Sequence, residues 1–461
     1  MSPHDALGSV WRLGGLPPDA LGHVRLTGCE PVLPSSFAVG TAAQASVAAA
    51  ALAACELGYV RGQARQDVGV DMVHAAMECT AWFSLNGSVP DPWDKFSGLY
   101  RCSDTWVRVH ANFAHHREGA LRLLGLDPAT SERKDAQQAL LSWRALDFEQ
   151  AAADGGLVVA ALRSFEAWDL HPQGIAVARE PLLVFEQIGD APVRDLPPLA
   201  SHQRPLEGIK VLDLTRILAG PVCGRTLAAY GAEVMLLNAP HLPNIESIAD
   251  TSRGKLSAHA DLRTAQGRND LDQLLEQAHL FVQGYRPGAL AALGYGPQEL
   301  AARRPGIVCI SLSAYGEQGP WSTRRGFDSL VQTAAGFNVA EAQAAGQEDP
   351  KALPLQILDY ASGFLMAYAA SAALVRQAQQ GGSWHVRVSL ARVGLWIRQL
   401  GRVANGFTAQ RPHIAPWLET TATGFGELAA PRNSAQLDRT PAAWTRPSMP
   451  PGSHPPVWPA R

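Results

Sequence analysis

Between Leu206 and Leu390 the chain alternates short apolar runs with longer stretches of helical character. Val211-Leu-Asp-Leu214 is a β-branched-led apolar run suited to a buried parallel strand. Thr215 to Gly220 reads as a turn. Pro221 suits the first turn of a helix, and Gly231 suits its C-terminal end. Glu233 to Asn238 is the next strand. A second unit follows: a helix from about Asn269 to Ala278, a strand at Leu280-Phe-Val282, a helix from about Ala289, and a strand over 307–311. This alternation predicts a parallel sheet with helices on its faces. A helix from about Asp359 to Gln380, closed by Gly381-Gly382, precedes an alternating strand from Trp384 to Leu390. The arrangement is Rossmann-like but lacks a GxGxxG fingerprint, so NAD or flavin binding is not implied.

The first half contains an echo of the last part of this segment. Phe37 to Cys55 looks like Tyr360 to Val375: each has a Gly near the start of an Ala-rich helix, and an alternating strand follows each. Placing Gly40 on Gly363 sets Ser36 opposite Asp359. Two Ala-rich helices can also match by chance. The reading is thus an α/β protein with a Rossmann-like parallel-sheet large domain, a smaller α+β domain and a rearranged element order. Residues 1–97 form an N-terminal segment resembling the 359–390 part, 98–196 the small domain, 197–404 the large domain, and 405–461 an irregular tail rich in Pro, Gly, Ser and Trp. Pro192 to Arg204 is the linker candidate.

Charge and cysteine usage narrow the function. A net charge of −3 without a long basic run disfavours nucleic acid and anionic lipid as partners. The Ala-rich stretches read as too short or too interrupted to span a bilayer. No basic and apolar leader is read at the start. Six scattered cysteines form no CxxC pair, as in a reduced, cytoplasmic protein. No cluster has metal-ligand spacing. The adjacent His115 and His116 read as surface or loop residues.

Three short motifs pair a cation with Gly near strand ends, where open α/β sheets bind ligands: Arg216 in Thr215-Arg-Ile-Leu-Ala-Gly-Pro221, Arg253-Gly-Lys255, and Tyr285-Arg-Pro-Gly288. The first also opens a helix, whose N-terminal amides attract phosphate. Coenzyme A carries a pyrophosphate, a 3′-phosphate and an adenine, so separated cations and an aromatic face suit it. Each motif alone also fits a solvated loop.

The ordered runs PLEGIKVLDLTRILAGPVCGRTLAAYGAEVMLLN, SRGKLSAHADLRTAQGR, VQGYRPGALAALGYGPQEL, IVCISLSAYGEQGPW and LPLQILDYASGFLMAYAASAAL resemble family III CoA-transferases, a group that includes formyl-CoA and carnitine CoA-transferases and the 2-methylacyl-CoA racemases. The resemblance implies CoA transfer between an acyl-CoA and a small carboxylic acid, with no metal, NAD or flavin, in an interlocked homodimer. It implies Asp359 as the nucleophile that forms an aspartyl anhydride and then an aspartyl thioester. It implies Arg216, Leu218, Ala219, Arg253, Lys255, Tyr285 and Arg286 as the coenzyme A site. Asp359 stands where a helix should start, so N-capping is its other reading.

Three departures accompany the resemblance. Phe327 stands where the racemases of the family use His, which disfavours the alternative of an acyl-CoA racemase or isomerase. No Gly-rich loop follows Leu390, and Gly424-Phe-Gly426 is a poor substitute. The small-domain-like stretch precedes the large domain instead of following it. The last two keep open a non-catalytic CoA-binding partner subunit.

Overall fold

The computed structural model describes residues 1–460. Its largest sheet has seven strands in the order Lys255–His259, Glu233–Asn238, Lys210–Leu214, Leu280–Gln283, Val308–Ser313, Ser383–Ser389 and Val184–Gly189. The first six are parallel and the last is antiparallel. Lys210–Leu214 is buried along its whole length, which explains its apolar run. Successive strands lie on one side of it and then on the other. The order therefore reverses between Lys210–Leu214 and Leu280–Gln283, and this is the place where such sheets bind ligands.

The helix Ala219–Ala229 ends before Gly231, whose φ of +106° a residue with a side chain would resist. No long helix begins at Ala289. A short turn over Ala291–Leu293 stops at Gly294, and Pro297 starts a new helix, Pro297–Arg303. The helix Ile357–Gln380 begins two residues earlier than its sequence suggests. Gly363 sits where a Cβ would lie 2.6 Å from the Ala219 carbonyl oxygen, so glycine lets this helix and Ala219–Ala229 approach closely.

The first-half helix Val39–Val60 packs along Ile357–Gln380. Both are long and apolar enough to cross a bilayer, more so than the sequence suggests, but both are core helices buried almost throughout. The ends of the echo are held alike. The Ser36 N–H donates to Glu341 Oε1 at 2.9 Å, as the Asp359 N–H donates to Asp328 Oδ2 at 3.0 Å.

The small unit is an antiparallel sheet of Gly98–Arg101, Trp106–Val109 and Val159–Ala161, with its own core around Tyr100, Val107 and Phe148. It is shorter than the 98–196 range, because Val184–Gly189 leaves it to edge the large sheet. The stretch after 405 is not irregular throughout. Leu418–Thr423 and Gly426–Pro431 form a hairpin that pairs with Ser84–Leu85, and Ala435–Leu437 pairs with Val68–Asp71. Gly424-Phe-Gly426 lies in the turn of this hairpin. The Trp rings of this stretch are docked: Trp417 stacks on His74 at 4.5 Å, and the indole N–H of Trp444 donates to Arg225 O at 2.9 Å. That of Trp458 donates to Leu274 O, also at 2.9 Å.

Candidate active site

An open cleft with about 370 Å³ of free space lies beyond the carboxyl ends of the central strands. It brings together Arg216, Leu218, Ala219, Tyr285, Arg286 and Asp359 from the large unit. Leu214 and Gly284 end or follow the two strands that flank the switch point, so strand geometry alone delivers the loops at 215–219 and 284–287. Ile217 holds a φ of +77° in the first of these loops. A β-branched residue there is a genuine outlier, and such strain persists only where surrounding structure enforces it.

Asp359 is the third residue of Ile357–Gln380, not its cap. The cap position is Gln356, whose own side chain makes no capping bond, and the free N–H of Asp359 is met instead by the Asp328 carboxylate. The capping reading therefore fails. Asp359 is 9% exposed and its carboxyl has no hydrogen-bond partner among the described residues. Burial, and then the neighbouring Asp328, push that carboxyl well above the usual range.

Asp328 opens the helix Asp328–Ala334 and is fully buried. It accepts hydrogen bonds from the Asp359 N–H and from the Gln332 side-chain amide. Burial raises it to about 7 against the lowering effect of these donors and of Arg108. Every donor is on Asp328, so Asp328 holds the first negative charge of the pair and Asp359 keeps the shared proton longer.

The cations divide into two groups. Arg216 donates to the Pro243 carbonyl and lies 5.6 Å from the Phe113 ring, while burial lowers its guanidinium. Arg286 is exposed on the rim, beside Tyr285, whose hydroxyl burial pushes up. Arg253 and Lys255 are elsewhere, and their expected phosphate contacts are not possible here. Lys255 is wholly buried, with Nζ 2.7 Å from Asp213 Oδ2 and 2.8 Å from Pro221 O. Arg253 is 2% exposed, paired with Asp250 and Glu419, and stacked 3.8 Å from Trp444. Both neutralise buried carboxylates behind the cleft. Asp213 inside an apolar strand was the legible sign that a buried cation had to meet it.

Sequence reasoning missed the histidines. His115 and His116 lie in the helix Ala114–Leu123 of the small unit and line the cleft, and His116 is buried. Arg325 Nη1 lies 3.2 Å from His116 Nε2. Burial first, then His115 and Arg325, lower His116 to about 4, so it is neutral near pH 7. His110 stacks on Phe327 with ring centroids 4.0 Å apart. Burial first, then His116 and Arg108, lower it to about 3. No spacing rule links 110–116 to 325–328; only the docking of the small unit does. Among the described residues no group of three or more His, Cys, Asp or Glu could hold a metal.

The switch point of an open parallel sheet, with cations on the rim and a buried carboxyl on the floor, is a site where an α/β protein can hold a phosphate-bearing ligand beside a carboxyl group. Residues 206–413 match CoA-transferase family III. An acyl-CoA transferase of Gibberella moniliformis is 31% identical over 332 residues, 69% of this chain and 54% of its own length. Acetyl-coenzyme A transferase nodX of Hypoxylon pulicicidum is 35% identical over 44% of this chain and 35% of its own length. Succinate–glutarate CoA-transferase of Agrobacterium fabrum is 30% identical over 52% of this chain and 66% of its own length. The chain thus spans from about a third to about two thirds of the length of these relatives.

Proposed function

We propose that the protein moves coenzyme A between an acyl-CoA and a carboxylic acid, with Asp359 as the nucleophile. The observation that carries this reading is a carboxyl on the cleft floor that no protein donor engages, flanked by Arg216, Arg286 and the start of Ala219–Ala229. The Asp359 carboxylate attacks the thioester carbonyl, the C–S bond breaks, and CoA leaves as the thiolate from a mixed anhydride. The thiolate attacks the aspartyl carbonyl and releases the first acid, leaving an aspartyl thioester. The second acid's carboxylate attacks that thioester, and the freed thiolate takes the new acyl group and restores Asp359. Arg216 and Arg286 serve the phosphates, and Leu218, Ala219 and Tyr285 serve the rest of the coenzyme. The family match and relatives named as CoA-transferases support this reading.

Incubation with a panel of acyl-CoAs, trapping with hydroxylamine or borohydride, and mass spectrometry test it. Modification at Asp359 is the expected outcome; transfer without modification there rejects it. The racemase alternative remains weaker because position 327 is Phe. Exchange of the substrate α-proton in D2O without transfer would favour it. The absence of a Gly-rich loop and the element order favour a non-catalytic CoA-binding subunit, against which an uncommitted Asp359 stands. The reading extends to a cytoplasmic homodimer. Six free cysteines, five of them buried, fit a reducing compartment. Light scattering at twice the 49.2 kDa chain mass tests the dimer.

A further inference from the structure

The small unit carries a buried cation toward the carboxyl pair. Arg108 lies on the strand Trp106–Val109, which packs against the helix Asp328–Ala334. The ladder continues through His110, whose N–H donates to Val158 O at 3.1 Å. Side chains two apart on a strand share a face, and the His110 ring stacks on Phe327 at 4.0 Å. Arg108 therefore faces the start of that helix, where Asp328 directly follows Phe327. Arg108 is 8% exposed, and its Nε is buried without a hydrogen-bond partner among the described residues. Its guanidinium lies 5.0 Å from the Trp93 ring. Burial lowers that guanidinium to about 10, with Asp328 opposing this and Arg133 adding to it, so Arg108 is a cation near pH 7. A buried cation is costly unless an opposite charge answers it.

The other charges brought by the elements around Asp328 are engaged elsewhere or have the wrong sign. Ile357–Gln380 brings Asp359 itself. Phe337–Ala344 brings Glu341, which accepts from the Ser35 and Ser36 hydroxyls. Leu390–Gln399 brings Arg392, which donates to Glu180 O, and Arg398, which pairs with Asp169. Val159–Ala161 brings no titratable side chain. Beside Arg108, Arg133 donates to the carbonyls of Lys95 and Ser97.

We infer that Arg108 is a positioning residue for transfer that acts through Asp328. It keeps Asp328 anionic, so that Asp328 holds the Asp359 N–H, and it offsets that charge, so that Asp359 ionises beside it and attacks. The docked small unit thus arms a nucleophile that belongs to the large unit. This rests on the transferase reading above.

The test uses full-length protein and two readouts: the rate–pH profile of acyl transfer, and the melting temperature of ligand-free protein across pH. An opposite charge close by shifts a carboxyl by about one to three units. Arg108→Gln should displace the acid-side fall of the transfer rate to higher pH by about one unit. Arg108→Lys, which keeps the charge, should bring the fall back toward the wild-type position. The Tm deficit of Arg108→Gln relative to wild type should widen from pH 4.5 to pH 8.5. Loss of the cation raises two carboxyls that already titrate above their unfolded values, so more stability is lost as pH rises through the folded values. Arg108→Met keeps the apolar stem and carries the same expectations where the Gln variant fails to fold. A residue that only packs would lower rate and Tm equally at every pH in the Gln and Lys variants alike, and that result overturns the inference. So does an acid-side fall at the wild-type pH in a folded variant without the charge. A widening Tm deficit in a protein that transfers no CoA would leave the coupling of Arg108 to the carboxyl pair standing and overturn the transferase reading alone.

Discussion

Replacing Asp359, the proposed nucleophile, should raise the protein's stability at alkaline pH relative to its stability at acid pH. Asp328 and Asp359 are buried together, with Asp328 Oδ2 3.0 Å from the Asp359 nitrogen and each carboxyl within the roughly 4–6 Å at which like charges raise one another. At an effective dielectric of about 20, two charges at that distance repel by about 3 kcal/mol. The sign follows from the direction of the shifts. Both carboxyls titrate above their unfolded values, Asp328 at about 7 against 3.8. Their contribution to stability is therefore complete below about pH 4 and is lost as pH rises through the folded values. For Asp328 alone, roughly three pH units correspond to about 4 kcal/mol. Asp359→Asn removes one titration and the repulsion on the other, and the pH-independent cost of the amide cancels in a comparison between two pH values. With an unfolding entropy of about 2 cal/mol/K per residue, a 461-residue chain unfolds with about 1 kcal/mol/K. From the repulsion alone the Tm difference between variant and wild type should thus grow by about 3 °C from pH 4.5 to pH 8.5, and the loss of Asp359's own raised titration adds to it. Calorimetry or circular dichroism melts across that range measure it. A flat difference, or one that shrinks with pH, would refute the coupled buried pair. The same variant should abolish transfer.

Other consequences follow from the same geometry. Transfer should accelerate with pH up to the upper titration of the pair, because attack requires ionised Asp359; a rate–pH profile that is level between pH 5 and 8 contradicts this. Arg216→Ala or Arg286→Ala should raise the CoA dissociation constant about tenfold, taking about 1.5 kcal/mol per charged hydrogen bond, and the loss should shrink at high salt. Lys255→Met should cost about 3–5 kcal/mol in denaturant unfolding by stranding Asp213, whereas a coenzyme ligand would lose affinity and keep its stability. Deleting the chain from Asn405 removes Trp417, Trp444 and Trp458 with the strands beside them, and the truncated protein should aggregate; a soluble product with unchanged Tm would show the stretch to be dispensable.

Local pattern determined the part of this protein that local physics governs. The run Val211–Leu214 and its successors are strands because they are buried on both faces. Their carboxyl ends meet at a switch point, so Arg216, Tyr285 and Arg286 had to gather there. Asp359 was legible because an ordered set of motifs places it at the start of a long buried helix. What the sequence left undecided depends on partners distant in the chain. Arg253 and Lys255 looked like Arg216, a cation beside a glycine, until Asp213, Asp250 and Glu419 closed around them. His116 and Arg325 are separated by 209 positions and meet only because the small unit docks against the loop after Val308–Ser313. A charge's role is set by what neutralises it. In a chain folded back on itself in this order, the tertiary structure alone decides which cations are already answered and which are left for a ligand.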